Sequence, residues 1–170
     1  MPNFSRRSDS RHPVLWKTSV TESSGGVYVV ALAGEANVES EVSADYLPPI
    51  ERKRWLPNEP VVYVGATECR KGLAGRIGQF YRHQYGKRSP HSGGQAVKLL
   101  QCGLWVYWSS ATDPFGCEQA MLHAFRQRVG QLPFANRNAG GQSRRSDALG
   151  TFQSSTWISP FSSGLQLCRF

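Results

Sequence analysis

The sequence predicts an α/β domain of the α+β type, in which helices flank a small, mostly antiparallel sheet of three or more strands. Three short segments rich in β-branched and aromatic residues predict the strands. Two longer segments repeat apolar residues at the spacing of one helix face. The chain has 170 residues, of which 39% are apolar. That length is enough for one core and leaves little room for a second full-sized domain.

The three predicted strands have the composition of segments that are buried on at least one face. The first is Gly26 to Leu32, with the sequence GVYVVAL, and the second is Val61 to Gly65, VVYVG. The third is Leu104 to Trp108, LWVYW. The connection between the first two is far longer than a hairpin loop, so we expect an insertion with some structure of its own.

Two longer helices and one short one are predicted between and after these strands. The first runs from Leu73 to about Gln84, because Leu73, Ile77 and Phe80 fall at i, i+4 and i+7. A turn at 91–94 opens a short helix that reaches Leu100. The clearest helix follows Asp113-Pro114 and extends from Phe115 to residue 130 or 131.

The chain divides into three parts by composition. Residues 1–24 are rich in Ser and Arg and predict a mobile N-terminal arm, in which residues 14–16 could dock on the core. Residues 25–138 form the predicted domain, with the insertion at about 33–60. Residues 139–170 predict a Gly/Ser-rich C-terminal tail.

The basic residues are concentrated in one stretch of the chain. Twenty Lys and Arg against 12 Asp and Glu give a formal charge of +8. By segment, residues 1–68 carry −2, residues 69–145 carry +10 and residues 146–170 are neutral. Fifteen of the 20 cations are Arg, which suits bidentate contact with phosphate. The stretch predicts either a surface that binds a polyanion such as nucleic acid or an ordinary solvated basic surface.

Composition argues against several other classes of protein. The longest apolar run, Val27 to Ala33, is far shorter than the ~20 residues that span a bilayer. The N-terminus lacks the apolar region of a secretory signal. The four cysteines show no CxxC spacing, which disfavours a structural zinc site or a disulfide scaffold. We therefore expect a cytoplasmic protein with no membrane partner.

Glu118 occupies an unusual position in the last predicted helix. At 100° per residue it points in the direction of the apolar stripe formed by Met121, Leu122, Phe125 and Val129. One interpretation is a solvated carboxylate near the helix N-terminus, where the helix dipole favours an anion. The other is a carboxylate directed into a site, which needs cations or hydrogen-bond donors to offset its desolvation. The stripe is consistent with both.

The order of these elements and a set of polar residues resemble the GIY-YIG nuclease family. The resemblance rests on Gly26-Val27-Tyr28, on Tyr63-Val64-Gly65 and on Arg76 in the next helix. His91-Ser92 and Glu118 follow, and either Asn136 or Asn138 comes after the last helix. Together these positions span about residues 25–138.

The resemblance implies an endonuclease that hydrolyses DNA phosphodiesters with Mg²⁺ or Mn²⁺, with RNA as an alternative substrate. It implies that Tyr28 is the general base that activates water and that Tyr63 positions it or contacts phosphate. Arg76 would stabilise the phosphate, Glu118 would bind the metal, and Asn136 or Asn138 would support the site by hydrogen bonding. A tyrosine has an ordinary pKa of about 10, so we expect surrounding Arg and metal ions to lower the pKa of Tyr28.

One position departs from the family pattern. The helix Arg is often followed four residues later by His or Tyr, but this chain has Phe80 there. His83, Tyr81 and His91 are the candidates to replace it. This departure favours the alternative that the fold is a non-catalytic nucleic-acid-binding module. Taken singly, each tyrosine is also typical of an ordinary half-buried strand residue.

The remaining basic side chains are candidates for contacts with the nucleic-acid backbone, which position the partner rather than read its sequence. They are Arg70, Lys71, Arg82, Lys87, Arg88, Arg126 and Arg128. The long insertion favours a stand-alone, restriction-like enzyme, with repair, mobile-element and toxin nucleases as alternatives. A homodimer is also open, because a single site cuts only one strand at a time.

Overall fold

The computed structural model describes residues 13–33, 44–87 and 92–139, with side chains in the last range described from residue 94. These residues form a mixed α+β domain with a four-stranded sheet in the order β1-β4-β2-β3, and every neighbouring pair is antiparallel. The strands are β1 Val14–Leu15, β2 Gly26–Leu32, β3 Val61–Thr67 and β4 Leu104–Ser110. The predicted α+β class and antiparallel sheet are confirmed.

Three α-helices and one 3-10 helix surround the sheet. They are α1 Pro49–Arg52, α2 Gly72–Arg82, the 3-10 helix Ser92–Leu99 and α3 Pro114–Val129. The Asp113 side chain accepts a hydrogen bond from the backbone of Gly116 and caps α3. Among the described residues, no helix has the length and apolar character needed to cross a membrane.

Both faces of the central strands are buried. Tyr28 and Val30 of β2 belong to a core that also contains Leu73, Ile77 and Phe80 of α2 together with Ala96 and Val97 of the 3-10 helix. Val27, Val64 and Ala66 point to the opposite face and are also buried. Helix α3 contacts β2 and β3 and buries Leu122 and Phe125. The sheet is therefore covered on both sides.

The last residues of the predicted N-terminal arm, 13–24, pack on the domain. Val14 and Leu15 pair with Val106 and Trp105 of β4, and the Trp16 ring packs edge-on against Phe80, 5.2 Å between centroids. Residues 13–24 are therefore part of the domain, as the docking of residues 14–16 anticipated. The rest of the arm, residues 1–12, lies outside the described residues, as do residues 34–43 of the insertion and residues 140–170 of the tail.

The described part of the insertion carries α1 and buries two of its side chains. Leu47 is 2% exposed and Glu51 is fully buried. The expectation that the insertion has some structure of its own is confirmed for residues 44–60.

Candidate active site

Two tyrosines lie side by side on one face of the sheet. Tyr28 of β2 is opposite Gly65 of β3, and Tyr63 is opposite Val30 two positions away. The two rings have centroids 5.9 Å apart and are tilted by 54°. A Cβ atom at Gly65 would come within 2.7 Å of the Tyr28 hydroxyl oxygen. The glycine of the YVG sequence therefore leaves the space that the end of the Tyr28 side chain occupies.

Helix α2 covers this pair with Phe80 and Arg76. The fully buried Phe80 ring lies 5.2 Å from the Tyr63 ring and 6.2 Å from the Tyr28 ring. Arg76, one helical turn earlier, is near enough that its positive charge acts to lower the pKa of both tyrosines. The sequence brings Arg76 to this face because residues 73, 76, 77 and 80 share one side of a helix.

Glu118 acts on this pair from the second turn of α3. Its exposed fraction is 8%, which excludes the solvated position that the sequence left open. Its negative charge raises the pKa of Tyr63, so the carboxylate is near enough to that tyrosine to act on it electrostatically. We call Tyr28, Tyr63, Arg76, Phe80 and Glu118 the tyrosine cluster.

The pKa of Tyr28 is shifted upward, whereas the sequence led us to expect a downward shift. Burial raises it well above the ordinary value, Tyr63 raises it further, and Arg76 only partly opposes them. The Tyr28 hydroxyl is shielded from solvent, and among the described residues it has no hydrogen-bond partner of normal geometry. The expected lowering is therefore wrong for the protein alone, because desolvation of a phenolate outweighs one neighbouring guanidinium.

Asn136 supports the cluster by binding the backbone of β3 next to Tyr63. Its side-chain amide donates to the backbone oxygen of Val64 at 2.8 Å, and its amide oxygen accepts from the backbone nitrogen of Val64 at 2.9 Å. The preceding residue, Ala135, donates its backbone N–H to Val62 at 2.8 Å. The segment after α3 thus holds β3 next to Tyr63. Asn138, the other candidate, is exposed.

The candidates to replace the missing His or Tyr of α2 lie elsewhere or are not described. The Tyr81 ring packs against Trp16, with centroids 4.8 Å apart, and burial raises the pKa of Tyr81 to about 12. His83 follows the last residue of α2, and its backbone N–H bonds to Gln79. His91 lies outside the described residues. The Phe80 ring packs against both tyrosine rings, so this apolar side chain is part of the core.

Glu118 is the carboxylate that the tyrosine cluster offers to a metal ion. The described residues contain no group of three or more His, Cys, Asp or Glu that could hold a metal. A single carboxylate is a ligand set that Mg²⁺ accepts, since Mg²⁺ usually keeps several waters and takes one or two carboxylates together with substrate phosphate.

The basic residues proposed to contact nucleic acid lie on the surface. Every described member of the set is exposed, namely Arg70, Lys71, Arg82, Lys87, Arg126 and Arg128. Arg128 makes two hydrogen bonds to the Glu59 carboxylate, at 2.9 and 2.6 Å. Arg88 lies outside the described residues.

The structure also contains a second charged cluster that the sequence analysis did not identify. Glu51 of α1 pairs with Arg137 and accepts a hydrogen bond from the Tyr85 hydroxyl at 3.2 Å. Arg54 donates to the backbone oxygens of Phe134 and Asn136. Glu51 and Arg137 are 86 positions apart in the chain, and neither lies in a spacing pattern that predicts their contact.

Comparison with known proteins adds no assignment, since no family model, curated protein or solved structure matches this chain.

Proposed function

We propose that this protein is a Mg²⁺-dependent endonuclease that hydrolyses DNA phosphodiester bonds, with the fold and site that the GIY-YIG resemblance implies. One observation carries the proposal. Tyr28 and Glu118 are 90 positions apart in the sequence, yet the Tyr63 ring lies 5.9 Å from the Tyr28 ring and the charge of Glu118 raises the pKa of Tyr63. The charge of Arg76 acts to lower the pKa of both tyrosines. Four polar residues from four elements thus act on one pair of tyrosines, and Arg76 and Glu118 belong to the +10 segment of the chain.

Each residue of the tyrosine cluster has a distinct role in phosphodiester hydrolysis. The reaction needs a group that takes a proton from water and positive charge at the non-bridging oxygens. Arg76 offers a planar guanidinium that can bond to two phosphate oxygens. Tyr28 accepts the proton once its phenol has released its own proton to solvent, and Tyr63 orients the water or the phosphate. Asn136 holds β3 in register behind Tyr63.

Glu118 is the residue that would hold Mg²⁺, with water and substrate oxygens as the other ligands. Bound there, the metal would supply Lewis-acid stabilisation of charge on the phosphoryl oxygens. Glu118 is 8% exposed, so it is mostly shielded from solvent but not completely.

The role of Tyr28 sets a requirement on the substrate complex. Its buried hydroxyl is a neutral phenol in the free protein, because burial raises its pKa. The rings of Tyr63 and Phe80 pack against the Tyr28 ring. For Tyr28 to act as a base, water must reach its hydroxyl and carry away the phenol proton when DNA binds.

A non-catalytic nucleic-acid-binding module is the second candidate function. The burial of the Tyr28 hydroxyl and the presence of Phe80 four residues after Arg76 favour it. In such a module the tyrosines would be core residues, and the exposed Arg and Lys would provide binding through counterion release.

The two functions are separated by incubating supercoiled plasmid with the wild-type chain and with Glu118→Gln, in Mg²⁺ and in chelator. The nuclease proposal expects nicked or linear DNA only for the wild type in Mg²⁺. The exposed Glu68→Gln is the matched control, because it removes the same charge outside the cluster. Conversion that is equal for Glu118→Gln and wild type would refute the assigned site.

A gel shift on the same DNA measures binding by the wild type and the variants, independently of cleavage. Binding by Glu118→Gln that weakens steeply with salt, without cleavage by any variant or the wild type, would support the binding module instead.

A further inference from the structure

A cavity of about 330 Å³ lies at the C-terminal end of α3, away from the tyrosine cluster. Three of the six residues around it are arginines, contributed by the insertion, by α3 and by the segment after α3. We call it the arginine pocket, and its lining residues are Arg54, Arg126, Gly130, Gln131, Leu132 and Arg137.

Two of the three guanidinium groups are fixed by the fold. Arg54 donates through Nε to the Phe134 oxygen at 3.2 Å and through Nη2 to the Asn136 oxygen. Arg137 pairs with the fully buried Glu51 and keeps 29% of its side chain exposed. Such anchoring means that little side-chain entropy remains to be lost when a ligand binds.

The third arginine is the accessible one. Arg126 is exposed on α3, and among the described residues its guanidinium has no hydrogen-bonding or ionic partner. It therefore faces the pocket with all its donors available, whereas the nearby Arg128 already bonds to Glu59.

The electrostatics of the pocket favour an anion. Three guanidinium groups are opposed by one carboxylate, Glu51, and by the helix C-terminus of α3, which carries roughly half a negative charge. A positive excess remains. Burial lowers the pKa of Arg54, and the like charge of Arg137 lowers it further. The two cations repel each other, and an oxyanion between them would relieve that repulsion.

We infer that the arginine pocket binds a backbone phosphate of the nucleic acid whose cleavage is proposed above, at a position remote from the cut. The inference rests on the proposed function for its choice of polyanion. Arg126 follows Glu118 by eight residues on α3, which is about 12 Å along the helix axis. The pocket would therefore hold one backbone phosphate at a set distance from the tyrosine cluster.

The test measures binding rather than cleavage, so that it stands apart from the nuclease proposal. Fluorescence anisotropy with a DNA duplex is recorded over a salt series, with Mg²⁺ replaced by chelator. Arg126→Gln should lower the slope of log affinity against log salt by about 0.9, the value for one phosphate contact. Lys53→Gln, an exposed residue next to Arg54 that does not line the pocket, is the charge-matched control.

A chemically modified duplex locates the contact. Methylphosphonate replaces one backbone phosphate at a time along the duplex and removes its charge. At the phosphate that the pocket contacts, away from the cut, it should weaken binding of the wild type and of Lys53→Gln, but not of Arg126→Gln. A salt slope for Arg126→Gln equal to that of Lys53→Gln would overturn the inference.

Two further outcomes distinguish the ligand and the two proposals. The first outcome uses inorganic phosphate as the ligand and thermal denaturation as the measurement. If phosphate raises the melting temperature of the wild type but not that of Arg126→Gln, and the DNA salt slope of Arg126→Gln equals that of the wild type, the nucleic-acid assignment is overturned in favour of a free phosphate. A reduced salt slope for Arg126→Gln in a protein that cuts no DNA would support the pocket while the nuclease proposal fails.

Discussion

Two glutamates are buried in the part of the chain that the structure describes, and their surroundings differ in kind. Glu51 is fully buried and pairs with Arg137, and its Oε1 atom also accepts a hydrogen bond from Tyr85. Glu118 retains 8% exposure, and its charge raises the pKa of the Tyr63 phenol. The first carboxylate sits in a network that joins three parts of the chain. The second sits among groups whose protonation it perturbs.

This difference indicates how burial of charge can serve structure in one place and chemistry in another. A buried ion pair stabilises a particular arrangement only while both partners remain, since removing one leaves an uncompensated charge. A carboxylate that perturbs neighbouring titratable groups is typical of a functional site. We therefore expect substitutions in the Glu51 network to change stability and substitutions in the tyrosine cluster to change turnover.

The largest expected effect is on turnover at Tyr28. Tyr28→Phe should lower the rate of plasmid cleavage by about 10²- to 10⁴-fold, because it removes the group that accepts the proton. It should change the free energy of unfolding by less than about 1 kcal/mol, since no hydrogen bond of normal geometry holds the hydroxyl among the described residues. Single-turnover cleavage and urea denaturation measure the two quantities. A variant that cuts at the wild-type rate would show that Tyr28 is not the base.

The next effect is on stability at Glu51. Glu51→Gln should lower the free energy of unfolding by about 3 to 5 kcal/mol, because Arg137 loses its buried partner. Urea denaturation measures this, with the exposed Glu68→Gln as a control that should stay within about 0.5 kcal/mol of wild type. The double variant Glu51→Leu with Arg137→Met should recover much of the loss. Wild-type stability of Glu51→Gln would contradict the structural role.

A smaller loss of stability is expected at Asn136, which lies between the two regions. Asn136→Ala should cost about 1 to 3 kcal/mol, because it leaves the backbone N–H and C=O of Val64 without their buried partner. The exposed Asn138→Ala should stay within about 0.5 kcal/mol of wild type. Thermal denaturation of the two variants decides which asparagine supports the site, and equal melting temperatures would remove Asn136 from it.

The smallest expected effect is the pH dependence that arises from Lys98. Its ammonium lies over the Trp16 and Phe80 rings and donates a hydrogen bond to the backbone oxygen of Tyr81. Burial and the like charge of Lys17 lower the pKa of Lys98 to about 8. Between about pH 8 and the ordinary value of 10.5 Lys98 holds more protons in the unfolded chain than in the folded chain, so its contribution to stability rises with pH. Solvent screening keeps this gain under about 1 kcal/mol.

Urea denaturation at pH 7, 8.5 and 10 measures the contribution of Lys98. The raised pKa values of the buried tyrosines act alike on both proteins, so the stability of Lys98→Met relative to wild type should fall as pH rises over this interval. Lys53→Met, at an exposed position, should keep a constant difference from wild type. The same slope in Lys98→Met and wild type would contradict the assignment.

Local patterns predicted most of the regular structure. The strand from Gly26 to Leu32 has the predicted bounds, because apolar β-branched residues between glycines admit few alternatives. Helix α3 was predicted to within one or two residues because Asp113 and Pro114 form a strong start signal. The two-residue strand β1 has no alternating pattern of its own. It forms only because β4 offers a free edge, which is a tertiary effect.

The candidate site was predictable in composition but not in its energetics. The apolar stripe of α3 placed Glu118 toward the core, and its burial confirms that direction. The rise in the pKa of Tyr28 depends on how completely Phe80, Gly65 and Tyr63 exclude water, which no sequence spacing specifies. The pair of Glu51 and Arg137 depends on the path of the insertion, and its partners are too distant in the chain for any periodicity to connect them.

The hydrogen bonds of Ala135 and Asn136 to β3 also bear on how copies of this protein can meet. A sheet edge with free N–H and C=O groups invites another chain to extend the sheet, which leads to aggregation. Here the edge of β3 is capped at Val62 and Val64, and the opposite edge consists of only two residues. A second copy that joined the sheet at Val62 and Val64 would have to displace the segment that supports Tyr63. Self-association through that edge would therefore compete with the candidate site.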